Sequence, residues 1–144
     1  MSSTKTYKVI VVGVGKRGTH HADAFAKNPR FELVGLADIN AERLAAAAKP
    51  FGKVETSTDA AELLRRTRPD VFCFCTLPNV RAEMIRLAVE EGVRLIAYEK
   101  PVALSTNEAL EIMKLTRQAN GCHPSAEGYR QIADSVYCWL KGVL

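Results

Sequence analysis

The sequence predicts an α/β domain built as a doubly wound parallel sheet, strand order 3-2-1-4-5, with an added C-terminal helix. Three observations lead there. Short β-branched or aromatic runs alternate with longer helix-like stretches along residues 1–119, the signature of parallel strands joined by crossover helices. Two of the runs, Val9–Val12 and Val71–Cys75, are apolar on both faces, as strands covered from both sides must be. A glycine-rich turn, Gly13 to Gly18, joins the first run to the first helix.

In chain order, Lys8–Val12 reads as the first strand and Thr19–Ala26 as the first helix. Phe31–Ala37 is the second strand, with Asp38 at its end. Ala41–Lys49 is rich in alanine, the best helix former, and Asn40 is placed to cap it. Lys53–Thr56 is a short, weak strand. Asp59–Arg66 is the third helix. Its Asp59 and Glu62 have capping-box spacing, the cap accepting from a backbone N–H and the glutamate reaching back. Pro69 ends that helix, and Val71–Cys75 follows as the fourth strand. Val80–Glu91 is the fourth helix, with Gly92 suited to a left-handed exit. Arg94–Tyr98 is the fifth strand. Thr106–Ala119 is the fifth helix, started by Ser105 with Glu108 three residues on. The remaining residues, 120–144, carry Tyr129, Ile132, Ala133, Val136, Trp139, Leu140 and Val143 on one face at helical spacing, and should pack on the same domain.

Composition narrows the function classes. The chain has 144 residues, 47 % hydrophobic and 25 % charged, with 20 basic and 16 acidic side chains for a net charge of +4. That length fits one domain with its own core. The apolar stretch Val9–Gly15 is far short of the ~20 residues that span a bilayer, and the polar N-terminus has no signal core. The expected compartment is therefore the cytoplasm, without a membrane partner. Cys73, Cys75, Cys122 and Cys138 form no Cys-x-x-Cys pair. They read as thiols rather than metal ligands, with Cys73 and Cys75 on one strand face. The one dense basic run, Arg65, Arg66 and Arg68, closes a helix, where cations suit the dipole. A nucleic-acid partner is not expected.

The chemistry starts at Gly13-Val14-Gly15-Lys16-Arg17-Gly18. Gly13 permits the tight turn, Gly15 lets the backbone approach a pyrophosphate, and Gly18 lets helix and strand pack closely. The pyrophosphate would rest on free N–H groups at the helix N-terminus. Asp38 stands 20 residues after Gly18, where a carboxylate accepts the ribose hydroxyls of an adenosine. Together these are the fingerprint of a Rossmann domain. A carboxylate there favours NAD over NADP, although Lys16 or Arg17 could reach a 2′-phosphate. In such sheets the ligand lies beyond the carboxyl ends of the strands. That brings Thr76, Leu77, Pro78, Asn79, Glu99 and Lys100 to the same site.

The chain resembles the N-terminal part of the Gfo/Idh/MocA (glucose–fructose oxidoreductase / inositol dehydrogenase) family. The matching blocks are Val-Gly-Val-Gly-Lys-Arg-Gly-Thr-His-His at 12–21, Gly-Leu-Ala-Asp at 35–38, Cys-Thr-Leu-Pro-Asn at 75–79 and Glu-Lys-Pro at 99–101. The resemblance covers residues 6–119. It implies nicotinamide-dependent oxidation or reduction of a sugar or polyol carbon. By the same resemblance Lys100 is the catalytic lysine that hydrogen-bonds the reacting hydroxyl. Thr76, Pro78 and Asn79 line the ribose and nicotinamide. Arg81 stands where many members have histidine. His20 and His21 read as helix residues rather than ligands.

The family continues from residue 120 into a sixth strand and a substrate domain, which the 25 residues from 120 on do not resemble. They are weakly similar instead to the last block of SGNH/GDSL-type hydrolases, with His123 matching that family's histidine and Asn120 in place of its aspartate. The expectation is a nucleotide-binding domain with little or no turnover of its own. A second copy or a partner chain would cover its open face. The alternatives are a non-catalytic dinucleotide-binding module and, remotely, a hydrolase remnant.

Overall fold

The computed structural model describes residues 6–120, with side chains through Thr116. The apolar tail face, His123, Cys122 and Cys138 lie outside the described residues.

Five parallel strands form one sheet in the order 3-2-1-4-5. They are β1 (Tyr7–Val12), β2 (Phe31–Ala37), β3 (Glu55–Ser57), β4 (Val71–Phe74) and β5 (Leu95–Tyr98). The helices between and after them are α1 (Lys16–Lys27), α2 (Ala41–Ala48), α3 (Ala60–Thr67), α4 (Arg81–Glu90) and α5 (Thr106–Asn120). Winding reverses between β1 and β4, which places a crevice at the carboxyl ends of those two strands.

Alternate residues of β1 feed two cores, as strand geometry requires. Val9 and Val11 join Val14, Ala22, Leu36, Leu44, Val71 and Cys73 on the side of α1 and α2. Ile10 and Val12 join Leu63, Phe72, Phe74, Ile85 and Ile112 on the side of α3, α4 and α5. The β1–β2 register slips between Val9, opposite Leu33, and Ile10, opposite Gly35. Gly35 packs closely there: a Cβ on it would lie 3.0 Å from Leu63 Cδ1 and 3.2 Å from Ile10 Cγ2, so those side chains would have to shift by a few tenths of an ångström.

Several boundaries differ from the sequence expectation. Helix α1 starts at Lys16, not Thr19, because the last half of the glycine motif is already its first turn. Helix α3 ends with Arg68 in a left-handed conformation (φ 44°) whose N–H bonds to Leu64 O, so the stop precedes Pro69. A 3-10 turn, Pro78–Val80, precedes α4. Both capping boxes close differently from expectation. Asp59 Oδ1 accepts from Ala61 and Glu62 N–H. Glu62 does not reach back to Asp59; it takes the Ser57 hydroxyl, whose oxygen accepts the Asp59 N–H. Ser105 caps α5 through Glu108 N–H at 3.1 Å, while the Glu108 carboxylate accepts from Leu104 N–H. Gly92 does take a positive φ, 71°.

No helix among the described residues is long and apolar enough to cross a membrane. Arg65 is paired with Glu91, and Arg66 with Glu55 and Glu62. Two of the three arginines of the basic run are thus held in ion pairs.

Candidate functional site

The glycine turn is fixed by contacts that leave no room for a side chain at two of its three glycines. Gly13 has φ +81°, and a Cβ there would lie 2.9 Å from the Cys75 carbonyl oxygen. Its N–H donates to Ala37 O at 2.8 Å. At Gly18 a Cβ would fall 1.9 Å from the Gly13 carbonyl oxygen. The close approach is therefore between α1 and the turn itself, a more specific demand than helix against strand. Gly15 is the opposite case: a Cβ there would meet nothing within 4 Å.

That open space lies at the start of α1. No side chain caps this helix, and no acid lies in its first turn. By contrast Asn40 and Asp59 cap α2 and α3. The first N–H groups of any helix have no intrahelical partner and carry partial positive charge. Lys16 and Arg17 are exposed in the same turn, adding cations where a helix by itself favours anions. Val14 contributes differently from expectation. Its side chain is buried in the core, and its N–H is already taken.

The group that takes it is Asp38. The carboxyl is buried, at 5 % exposure. Oδ2 accepts from Val14 N–H at 2.9 Å and Oδ1 from Asn40 N–H at 2.9 Å. Oδ2 also accepts from Arg43 Nη1, so three donors face the carboxylate and one acceptor position, on Oδ1, is left. The aspartate thus holds the glycine turn and the α2 entry together while that position stays available. Arg43 Nη1 lies 3.5 Å from Oδ2. This cation was not singled out from sequence, because nothing local pairs it with the strand end.

Gly13, Gly15, Asp38, Thr76 and Leu77 line one cleft of about 500 Å³. A neighbouring hollow of about 490 Å³ shares Val12, Asp38, Ile39 and Thr76, and runs on between the start of α3 and the Glu83–Leu87 face of α4. Ile39 (93 % exposed) and Leu77 (73 %) stand on the rim. Thr76 Oγ1 is buried without a hydrogen-bond partner among the described residues. Pro78 and Asn79 lie just beyond, in the 3-10 turn, and are not part of this lining.

At the end of β5, Glu99 and Lys100 do not pair with each other. Glu99 Oε1 is 2.7 Å from His21 Nε2 on α1. That hydrogen bond, with smaller help from the charges of Arg17 and Lys100, holds the Glu99 carboxyl below its usual value despite some burial. His21 is therefore more than a helix residue: it anchors the β5 end from α1, across 78 positions. Its only sequence signal is the pair His20-His21, of which one stands at a position often histidine in the resembling family. Lys100 is exposed, and its ammonium has no partner among the described residues. The bond from Lys100 to Pro101 is cis. Arg81 donates from Nη1 to Pro101 O. Beneath this end, the Cys75 thiol is lowered by its hydrogen bond with Cys73 and by nearby His21 and Arg17, while the same bond and burial push the Cys73 thiol up.

A doubly wound sheet, an uncapped helix facing a glycine turn and a buried acid at the second strand end define a dinucleotide-binding domain of the Rossmann class. Comparison with known families is specific. The profile of the Gfo/Idh/MocA group, an oxidoreductase family with an NAD-binding Rossmann fold, matches residues 7–124, and the chain belongs to that family. D-apiose dehydrogenase of Paraburkholderia graminis is 29 % identical over 118 residues, which are 82 % of this chain and 31 % of that protein. Myo-inositol 2-dehydrogenase of Thermotoga maritima is 23 % identical, over 78 % of this chain and 34 % of the relative. The fold is shared with scyllo-inositol dehydrogenase from Lactobacillus casei, solved with bound NAD(H) and scyllo-inositol. There the TM-score is 0.74 at 23 % identity, covering 81 % of this chain and 34 % of that one. The chain spans about a third of the length of the curated relatives it matches.

Proposed function

We propose that this domain binds a nicotinamide dinucleotide, NAD in preference to NADP, and serves as the cofactor half of a sugar or polyol oxidoreductase. The observation that carries the reading is the open, uncapped start of α1 at Gly15, beside the Asp38 carboxylate, which keeps one acceptor position on Oδ1. The residues present fit the cofactor. A Cβ at Gly15 would occupy the space a phosphate needs, and the buried Thr76 hydroxyl lacks a partner that a ligand could supply.

In this reading the N–H groups at the start of α1, with Lys16 and Arg17, hold the pyrophosphate. Asp38 accepts a ribose hydroxyl at its remaining Oδ1 position and repels a 2′-phosphate. Ile39 and Leu77 cover the apolar faces of the base and the linker, while Thr76, Pro78 and Asn79 line the path toward β5. Bound nicotinamide supplies the hydride-transfer chemistry. Lys100, held at the β5 end by Glu99 and its His21 partner, presents its ammonium to a substrate hydroxyl and stabilises negative charge on that oxygen.

Residues 6–120 correspond to about a third of the relatives they match, and are expected to bind cofactor with little or no turnover by themselves. Exposed Leu95, Val102, Leu104, Leu110 and Met113 all lie on β5 or after it, and support a second copy or a partner chain covering that side. Sedimentation of the purified chain reads this directly. The reduced thiols Cys73 and Cys75 suit the cytoplasm. Fluorescence titration with NADH tests the central reading. Saturable binding at or below millimolar concentration is expected; no saturation in that range would remove it.

A further inference from the structure

Arg81 breaks three local rules at once. It is a cation at the first position of a helix, where the dipole disfavours positive charge. It is 2 % exposed, although arginine is almost never fully buried unless paired. No carboxylate among the described residues forms an ion pair with it. What it has instead is the face of Tyr98, 5.3 Å from its guanidinium carbon, and the carbonyl of Pro101. Tyr98 is itself stacked on Phe74 at 5.1 Å with ring planes 9° apart. Arg81 Nε has no hydrogen-bond partner among the described residues. Departures from local consistency that the fold tolerates tend to mark functional positions.

Those contacts converge on one short segment. Glu99 is held from α1 by His21 at 2.7 Å. Pro101 is held from α4 by Arg81. The two helices lie on opposite faces of the sheet, and Lys100 is the single residue between the two anchors.

We infer that Arg81 is a positioning residue: by gripping Pro101 from the α4 side, it sets where Lys100 presents its ammonium beside the nicotinamide end of the cofactor. This rests on the dinucleotide reading above. A planar guanidinium can lie flat on Tyr98 and direct an N–H along its plane to the Pro101 carbonyl. Methionine keeps an unbranched apolar stem, though a shorter one, and has no donor. Lysine restores a cationic N–H donor group without the planar fork.

The test uses acetylation of Lys100 by acetic anhydride, followed by peptide mass spectrometry. It is run on the full chain free, with NADH, and with ADP-ribose, which lacks the nicotinamide. In the parent chain saturating NADH should slow Lys100 acetylation about tenfold, and ADP-ribose should not. In Arg81→Met, ADP-ribose affinity should stay within about twofold while the NADH protection disappears. Arg81→Lys should recover part of the protection. Unchanged protection in Arg81→Met would overturn the inference. So would loss of ADP-ribose binding in both variants, since that reduces Arg81 to a general fold role. If neither NADH nor ADP-ribose binds the parent chain, the dinucleotide reading itself fails and this inference with it. If both bind but NADH gives no protection, only the placement of Lys100 fails.

Discussion

Two alanine substitutions in the glycine turn should separate folding from binding. At Gly18 the added methyl would sit 1.9 Å from the Gly13 carbonyl oxygen, and ordinary contact begins near 3.4 Å, so turn and helix must part by about 1.5 Å. The turn cannot easily give way. Gly13 is held by its φ of +81° and by a 2.8 Å bond to Ala37 O. Overpacking of this kind costs ~1–3 kcal/mol, and the better helix propensity of alanine returns at most ~1 kcal/mol. Because backbone meets methyl we take the upper ~3 kcal/mol; less the ~1 kcal/mol of propensity, Gly18→Ala should lose about 2 kcal/mol net. That corresponds to a fall of about 8 °C in Tm. The displaced N–H groups should also weaken NADH binding by tenfold or more, the size of about one lost charged hydrogen bond. Gly15→Ala is the contrast. Its methyl meets nothing within 4 Å and its φ of −69° is ordinary. Stability should stay within about 0.5 kcal/mol of the parent, while NADH affinity falls about tenfold or more as the methyl fills the phosphate space. Thermal unfolding by circular dichroism and NADH fluorescence titration read the two effects. A Gly18→Ala protein as stable as the parent would refute the rigidity of the turn. A Gly15→Ala protein that binds NADH normally would refute the phosphate position.

Three further outcomes follow from the same geometry. Asp38→Ala should lose NADH affinity by about tenfold and also ~1–3 kcal/mol of stability, because the buried Val14 N–H loses its acceptor; titration and urea unfolding check both. Asp38→Ser removes the carboxylate but leaves Arg43 and Lys16 nearby, so the NADPH-to-NADH affinity ratio should rise about tenfold or more. The His21–Glu99 bond lowers the Glu99 pKa in the folded chain, so its stabilisation is present above the ordinary carboxylate pKa of ~4.3 and is lost as pH falls through the lowered folded value. The Tm difference between the parent and His21→Ala should therefore be present at neutral pH and shrink in acid; a difference that grew on acidification would reverse the assignment.

How much of this was legible depends on how local each feature is. Strands β1, β2 and β4 could be read because apolar alternation and double-faced burial are written in consecutive residues. The start of α1 was misplaced by three residues because Lys16, Arg17 and Gly18 carry no apolar period of their own. The stop of α3 was assigned to Pro69, whereas Arg68 had already left the helix. Asp38 was found by spacing, but not its hold on Val14 N–H. Ile39 passed unnoticed because an exposed apolar residue in a turn has no signal until a cleft forms beside it. His21 and Arg81 were noticed for their residue types only; their partners lie 78 and 20 positions away.

The sequence by itself determined the layer order, the parallel sheet and the glycine turn leading into α1. Each follows from hydrophobic period or from backbone freedom within a few residues. The tertiary structure alone decided which N–H groups remain free, which edge of Asp38 stays open, and what holds Lys100 from both faces of the sheet. Those are contacts between distant segments, and their distances are set by how strands pair and helices settle on them, which no local window of the chain encodes.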